Sequence, residues 1–224
     1  MRAMILAAGR GARMRPLTDS TPKPLLEAGG RPLIEHLIDR LAAAGIDQLI
    51  INLGWLGDQI EQALGDGGRL GVTIEYSREP PGALETAGGI IHALPLLGQA
   101  PFVVANSDLW CDYPFTQLAA PKPGIDAHLV LVDNPEHHPE GDFALTGKHV
   151  ELAGPNRLTY SGIAVLRPTL FDGYAPGVRP LRPVLETAIA DGRVSGEHYR
   201  GHWADIGNPE RLAALDQALR TPRT

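Results

Sequence analysis

The chain has 224 residues, 43% hydrophobic and 21% charged, which supplies enough apolar side chain for a sizeable core and excludes global disorder. Its 20 lysines and arginines against 26 aspartates and glutamates leave a net charge of −6, so nothing draws it generally to nucleic acid or an anionic membrane, and phosphate binding has to be local. A single cysteine, Cys111, excludes an intrachain disulfide, and no apolar run approaches the roughly 18 residues of a membrane span, so a cytoplasmic protein is expected.

Ala3 to Ala8 is a continuous apolar run ending at Gly9, as in a strand buried on both faces. A Gly/Arg/Pro/Thr loop follows to about Pro24, too long for a mere connector. Pro32 in a first turn, the spacing of Leu33, Ile34, Leu37, Ile38 and Leu41, and Gly45 at the end predict a helix. Gln48 to Leu53 reads as a strand, Leu56, Ile60 and Leu64 as a helix, Val72 to Tyr76 as a strand and Thr86 to Leu94 as a helix. Phe102 to Ala105 is a further strand, ending at Asn106-Ser107-Asp108. This alternation predicts the α/β class: a Rossmann-like three-layer α/β/α sandwich on a mainly parallel mixed sheet, with ligands beyond the carboxyl ends of the strands.

Downstream, strands are expected near Ala127 to Val132, Phe143 to Leu145 and Thr159 to Leu166, then a helix near Pro180 to Asp191. A strand leading into Trp203 and a helix from Pro209 to Leu219 complete the chain. Asn134 to Asn156, rich in Pro, Gly, His and Asp, reads as a loop and hairpin over one sheet edge, placed to form a lid. Neither a repeat nor a linker divides the sequence, so one domain over residues 1–224 is expected.

The strongest motif is Leu6-Ala7-Ala8-Gly9-Arg10-Gly11-Ala12-Arg13-Met14-Arg15-Pro16-Leu17-Thr18, followed by Pro22-Lys23-Pro24-Leu25. Glycines directly after a buried strand let backbone amides approach a polyphosphate, and nearby cations neutralise its charge. Neither the dinucleotide fingerprint nor the P-loop spelling is present.

This spelling resembles the signature of the sugar-1-phosphate nucleotidyltransferases, whose fold is GT-A-like. The resemblance implies a nucleotide-binding half to about residue 110 and a sugar-phosphate half from 111 to 224. It implies that Leu6, Ala8, Gly9, Gly11, Arg13, Glu79, Pro80, Ala83 and Asn106 hold the nucleoside triphosphate, with Arg13 on the β- and γ-phosphates and Lys23 near the α-phosphate as catalytic cations. Asp108, at the end of an apolar run, and Asp205, in Trp203-Ala204-Asp205-Ile206-Gly207-Asn208-Pro209, look like the family's Mg²⁺ carboxylates. Each alone also reads as a turn or capping residue. Side by side they are expected to repel one another. Glu79 falls where relatives read the base, while Glu85 reads as a solvated residue of a first helical turn.

For the sugar phosphate the resemblance points to Gly141, Glu151, Ser161, Gly162 and Arg182. The Glu-Lys-Pro whose lysine binds that phosphate in many relatives is missing, leaving Lys148, Arg157 or Arg182 as substitutes. His137-His138 reads as loop surface. Among short branches the chain most resembles the one that uses UTP and N-acetylmuramate-1-phosphate in cell-wall sugar recycling, through Leu158 to Gly162, Gly141 to Leu145 and Asp108-Leu109-Trp110. Mannose-1-phosphate guanylyl transfer is the second reading. A silent nucleotide-sugar-binding regulatory subunit is the third, disfavoured because Arg13, Lys23, Asp108 and Asp205 are all present. Expected partners are UTP and a sugar-1-phosphate, with no nucleic acid and no membrane, in a monomer or small homo-oligomer. A muramic acid phosphate would need a donor or cation beside the sugar's C3, expected from Arg179 to Pro183 or from the Asn134 to Asn156 loop.

Overall fold

The computed structural model describes residues 1–221; the last three residues of the expected domain lie outside this range. The first half contains β1 (Arg2–Leu6), β2 (Glu27–Ala28), β3 (Arg31–Pro32), α1 (Leu33–Ala43), β4 (Gln48–Leu53), α2 (Gly57–Leu64) and β5 (Thr73–Arg78), then α3 (Glu85–Leu97), β6 (Phe102–Asn106) and β7 (Leu109–Cys111). The second contains β8 (Ala127–Val132), β9 (Phe143–Thr146), β10 (His149–Glu151), β11 (Arg157–Leu166), α4 (Leu181–Ala190), β12 (Val194–Tyr199), β13 (Trp203–Asp205) and α5 (Pro209–Arg220).

Nine strands form one sheet in the order β5-β4-β1-β6-β11-β8-β12-β10-β9. The β5, β4, β1 and β6 neighbours are parallel, as is β12 with β8, whereas β11 runs antiparallel to both β6 and β8. The period of two along each strand splits the core into two layers. Ala3, Ile5, Leu49, Ile51, Val103 and Ala105 pack against Ile34, Leu37, Ile38 and Leu41 of α1 and Ile60 of α2. Met4, Ile50, Phe102 and Val104 face the other way, against Ile90 and Leu97 of α3 and Val184 and Leu185 of α4. That is the α/β/α sandwich on a mixed sheet.

Local differences from the sequence reading have physical causes. Arg31 and Pro32 pair with Glu27 and Ala28 rather than starting a helix, and α1 begins at Leu33 with Pro32 as its N-cap. α3 continues through Pro95 to Leu97, because Leu97 is buried in the core. The long loop after β1 is built of single 3₁₀ turns at Ala12–Met14, Leu17–Asp19 and Lys23–Leu25. The expected edge hairpin is β9 and β10, at the end of the sheet. No helix among the described residues is long and apolar enough to cross a membrane.

Candidate active site

The carboxyl end of β1 would leave backbone groups exposed, and polar side chains from its neighbours take them up. Asn52, at the end of β4, accepts from the Ala7 N–H through Oδ1 (2.7 Å), while the Ser107 hydroxyl donates to the Leu6 carbonyl (2.6 Å). Beyond this anchor the chain turns at Gly11, whose φ of 65° disfavours a side chain. A Cβ there would also stand 3.1 Å from both Lys23 Cβ and Thr18 Cγ2. Thr18 donates to the Gly11 carbonyl (2.9 Å), and the Trp55 indole donates to the Thr18 carbonyl (2.9 Å). The result is a cleft of about 460 Å³ bordered by Ala8, Gly9, Gly11, Arg13, Lys23 and Asp108. Arg13 has no carboxylate partner among the described residues, so its charge is available to a ligand.

Lys23 is only 7% exposed. A buried ammonium requires an anion, and Nζ finds Asp108 Oδ2 at 2.5 Å. Asp205 arrives on β13, which pairs with β7 so that Asp205 stands opposite Leu109, and the Ile206 N–H donates to the Asp108 carbonyl (2.9 Å). The aspartates are thus neighbours in the backbone, but the expected repulsion is not what the side chains show. Asp205 pairs with Arg211 Nη1 (2.7 Å) and has His137 Nε2 at 3.5 Å, so each carboxylate is compensated by its own cation.

Asp205 does not itself line the cleft; Gly207 does. A Cβ at Gly207 would stand 3.2 Å from both Asp205 carboxylate oxygens, so glycine at this position leaves those oxygens open toward the cleft. Among the described residues no group of three or more metal-ligating side chains converges. Mg²⁺ needs only one or two carboxylates when phosphate oxygens and waters complete its shell, and the Asp108 and Asp205 pair suits that donor set.

The segment from Glu79 to Leu84 is tied to the same anchor. Asn52 Nδ2 donates to Glu79 Oε1 (2.7 Å), and the Leu84 N–H donates to Glu79 Oε2 (3.3 Å). Both oxygens of Glu79 are therefore engaged in holding the 80–84 loop, of which Ala83 lines the cleft and Pro80 does not. Glu85 is exposed and first in α3, as read from sequence, but it also borders the cleft and has a φ of 61°.

A second cleft of about 310 Å³ adjoins the first, sharing Leu6, Thr86 and Asn106 and continuing to Asp142, Tyr160 and Arg182. Asn106 sits at the junction because Gly162 leaves it room: a Cβ on Gly162, at φ 83°, would lie 2.6 Å from Asn106 Nδ2. Burial, with Asp142 nearby, pushes the Tyr160 phenol well above its ordinary value, so it remains protonated.

The other sugar-phosphate candidates stand apart from both clefts. Glu151 is exposed on β10. Ser161 is buried, its hydroxyl donating to the Val130 carbonyl (2.7 Å) and accepting from the Ile163 N–H (3.1 Å). The Gly141 carbonyl accepts from Arg157 Nη2 (3.1 Å), which also bonds the Asp142 carbonyl, so Arg157 shapes the loop and Gly141 is part of that turn. Lys148 is exposed in the hairpin turn. Of the substitutes for the missing lysine, only Arg182 lines a cleft. Sequence reasoning gave no site role to Asn52, Ser107, Thr86 or Asp142, although Ser107 and Asp142 stand in stretches it singled out. Asn52 and Ser107 do carry a signal, as polar residues closing the apolar runs of β4 and β6.

The nucleotidyl transferase family profile matches residues 2–143; the chain belongs to this family of enzymes. It is 54% identical over 220 residues to the N-acetylmuramate alpha-1-phosphate uridylyltransferase of Neisseria meningitidis serogroup B, covering 95% of each chain. To the mannose-1-phosphate guanyltransferase of Aspergillus fumigatus it is 37% identical over 229 residues, covering 94% of this chain and 62% of the fungal protein. Among solved structures, HddC from Yersinia pseudotuberculosis complexed with GMP-PN superposes with a TM-score of 0.81 at 20% identity, over 97% of this chain and 98% of that one.

Proposed function

We propose that the chain transfers a uridylyl group from UTP to N-acetylmuramate 1-phosphate, forming the UDP-sugar and pyrophosphate. The observation that carries this reading is the convergence in one cleft of the glycine loop, Arg13, the buried Lys23 and Asp108. The relative at 54% identity, matched over nearly its whole length, supports this donor and acceptor over the guanylyl alternative at 37%.

The acceptor's phosphate oxygen is already an anion at neutral pH. It attacks the α-phosphorus in line, and the bond to the β-phosphate breaks with its electron pair leaving on pyrophosphate. No proton has to be removed, so the work lies in holding mutually repelling anions and stabilising charge as it shifts. The amides of Gly9 to Gly11 and the Arg13 guanidinium hold the β- and γ-phosphates. Lys23, held inside the cleft by Asp108, faces the α-phosphate. Mg²⁺, for which Asp108 and Asp205 supply hard oxygen donors, would neutralise the triphosphate oxygens. The sugar occupies the adjoining cleft between Asn106, for which Gly162 leaves room, and Arg182. UTP labelled at its α-phosphorus tests this directly: the label should appear in UDP-sugar and none in pyrophosphate, whereas orthophosphate as the product would contradict the reading.

A further inference from the structure

The second cleft has apolar walls from Leu6, Phe143, Leu181 and Leu185 and one polar end. At that end Asp142 Oδ1 stands 3.2 Å from Arg182 Nη1 and 3.3 Å from His138 Nε2, while Oδ2 accepts from the Tyr160 N–H (2.9 Å). Asp142 Oδ1 thus accepts from Arg182, with the His138 imidazole drawn up beside it. Arg182 Nε is held by Glu186 (2.9 Å), and the guanidinium lies 5.5 Å from the Phe143 ring centroid. Its Nη2 has no acceptor among the described residues.

Helix stability does not explain this arginine. It stands in the first turn of α4, where the helix dipole disfavours a cation, and its pairing with Glu186 has the less favourable order along the helix. Its planar donors are instead fixed at the polar end of a cavity and half exposed (52%). A pre-oriented guanidinium with a free edge is suited to receive a carboxylate.

We propose that Arg182 and His138, gathered by Asp142, form a subsite selecting an acidic substituent on the acceptor sugar. This deepens the function proposed above and rests on it. N-acetylmuramate differs from N-acetylglucosamine by a lactyl ether at O3 ending in a carboxylate. Arg182 and His138 receive that carboxylate, and Asp142 acts as a positioning residue. The apolar walls take the lactyl and acetamido methyl groups. The donors thus read the sugar substituent and not its phosphate.

The test is the ratio of kcat/KM for N-acetylmuramate 1-phosphate to that for N-acetylglucosamine 1-phosphate, with UTP, in the unmodified enzyme and in Arg182→Ala, Arg182→Lys and His138→Ala. Because both sugars are measured on one preparation, any loss of folded protein cancels in the ratio. The unmodified enzyme should favour the lactyl sugar. Arg182→Ala should lower the ratio at least tenfold, with Arg182→Lys retaining part of it and His138→Ala giving a smaller fall. A preference that survives Arg182→Ala intact, including equal losses for both sugars as expected of a phosphate contact, overturns the subsite alone. An unmodified enzyme without the preference overturns the subsite and the acceptor assignment together.

Discussion

Lys23 and Asp108, 85 positions apart in sequence, meet at 2.5 Å in the lining of the larger cleft. The pair links the loop after β1 to the turn after β6. Asp108→Asn should leave a lysine that is only 7% exposed without its counter-charge. We expect a loss of about 2 kcal/mol, discounted because Asp108 is partly solvated, or about 4–8 °C in Tm for a chain of this size. Lys23→Met combined with Asp108→Asn should recover most of that stability while remaining inactive. A double variant no more stable than Asp108→Asn would remove the ion pair from the account.

Lys23 should contribute more to the transition state than to binding UTP, since charge shifts at the α-phosphate as the new bond forms. Lys23→Ala is expected to lower kcat by roughly 10²-fold or more, about 2.7 kcal/mol. Steady-state kinetics showing only a raised KM would assign Lys23 to uniform binding.

Asn52 joins the end of β1 to Glu79 and so to the 80–84 loop. Asn52→Leu leaves the Ala7 N–H and one Glu79 oxygen unpaired, a cost of about 2–4 kcal/mol in a denaturant titration. The KM for UTP should rise with it. Unchanged stability would mean that water replaces both bonds.

The Cys111 thiol, buried at the end of β7 opposite Trp203 of β13, is pushed up to about 11, chiefly by burial. At pH 8 its thiolate fraction should be roughly 100-fold below that of the free thiol, and one equivalent should react with a thiol reagent only after unfolding. The sign for stability follows: above about pH 9 the unfolded chain loses this proton before the folded one does, so stability falls as pH rises. Rapid labelling of the native protein at pH 8 would contradict the burial.

The alternation of apolar runs and helical spacing made the first half of the chain legible, and β4 and β8 fall at the expected residues because they are apolar and flanked by turns. Arg13 and Lys23 were legible because they stand in a long motif after β1, and Asp108 because it follows the apolar run of β6. What lies between elements was not. That Asp205 would pair with Arg211 and meet His137, or that Ser161 would spend its hydroxyl on Val130, depends on how the second half folds back on the first. Glu151 illustrates the same limit: its place in the β9–β10 hairpin, exposed and opposite Ala144, is set by that fold-back and not by its neighbours in sequence.

The most direct measurement is pyrophosphate release by the purified protein with Mg²⁺, each of the four ribonucleoside triphosphates and dTTP being offered with a panel of sugar 1-phosphates. The account predicts rapid release with UTP and N-acetylmuramate 1-phosphate, dependence on Mg²⁺, and loss of activity in Asp108→Asn and Asp205→Asn. Turnover that favours GTP with mannose 1-phosphate, or that persists at full rate in both aspartate variants, would contradict it.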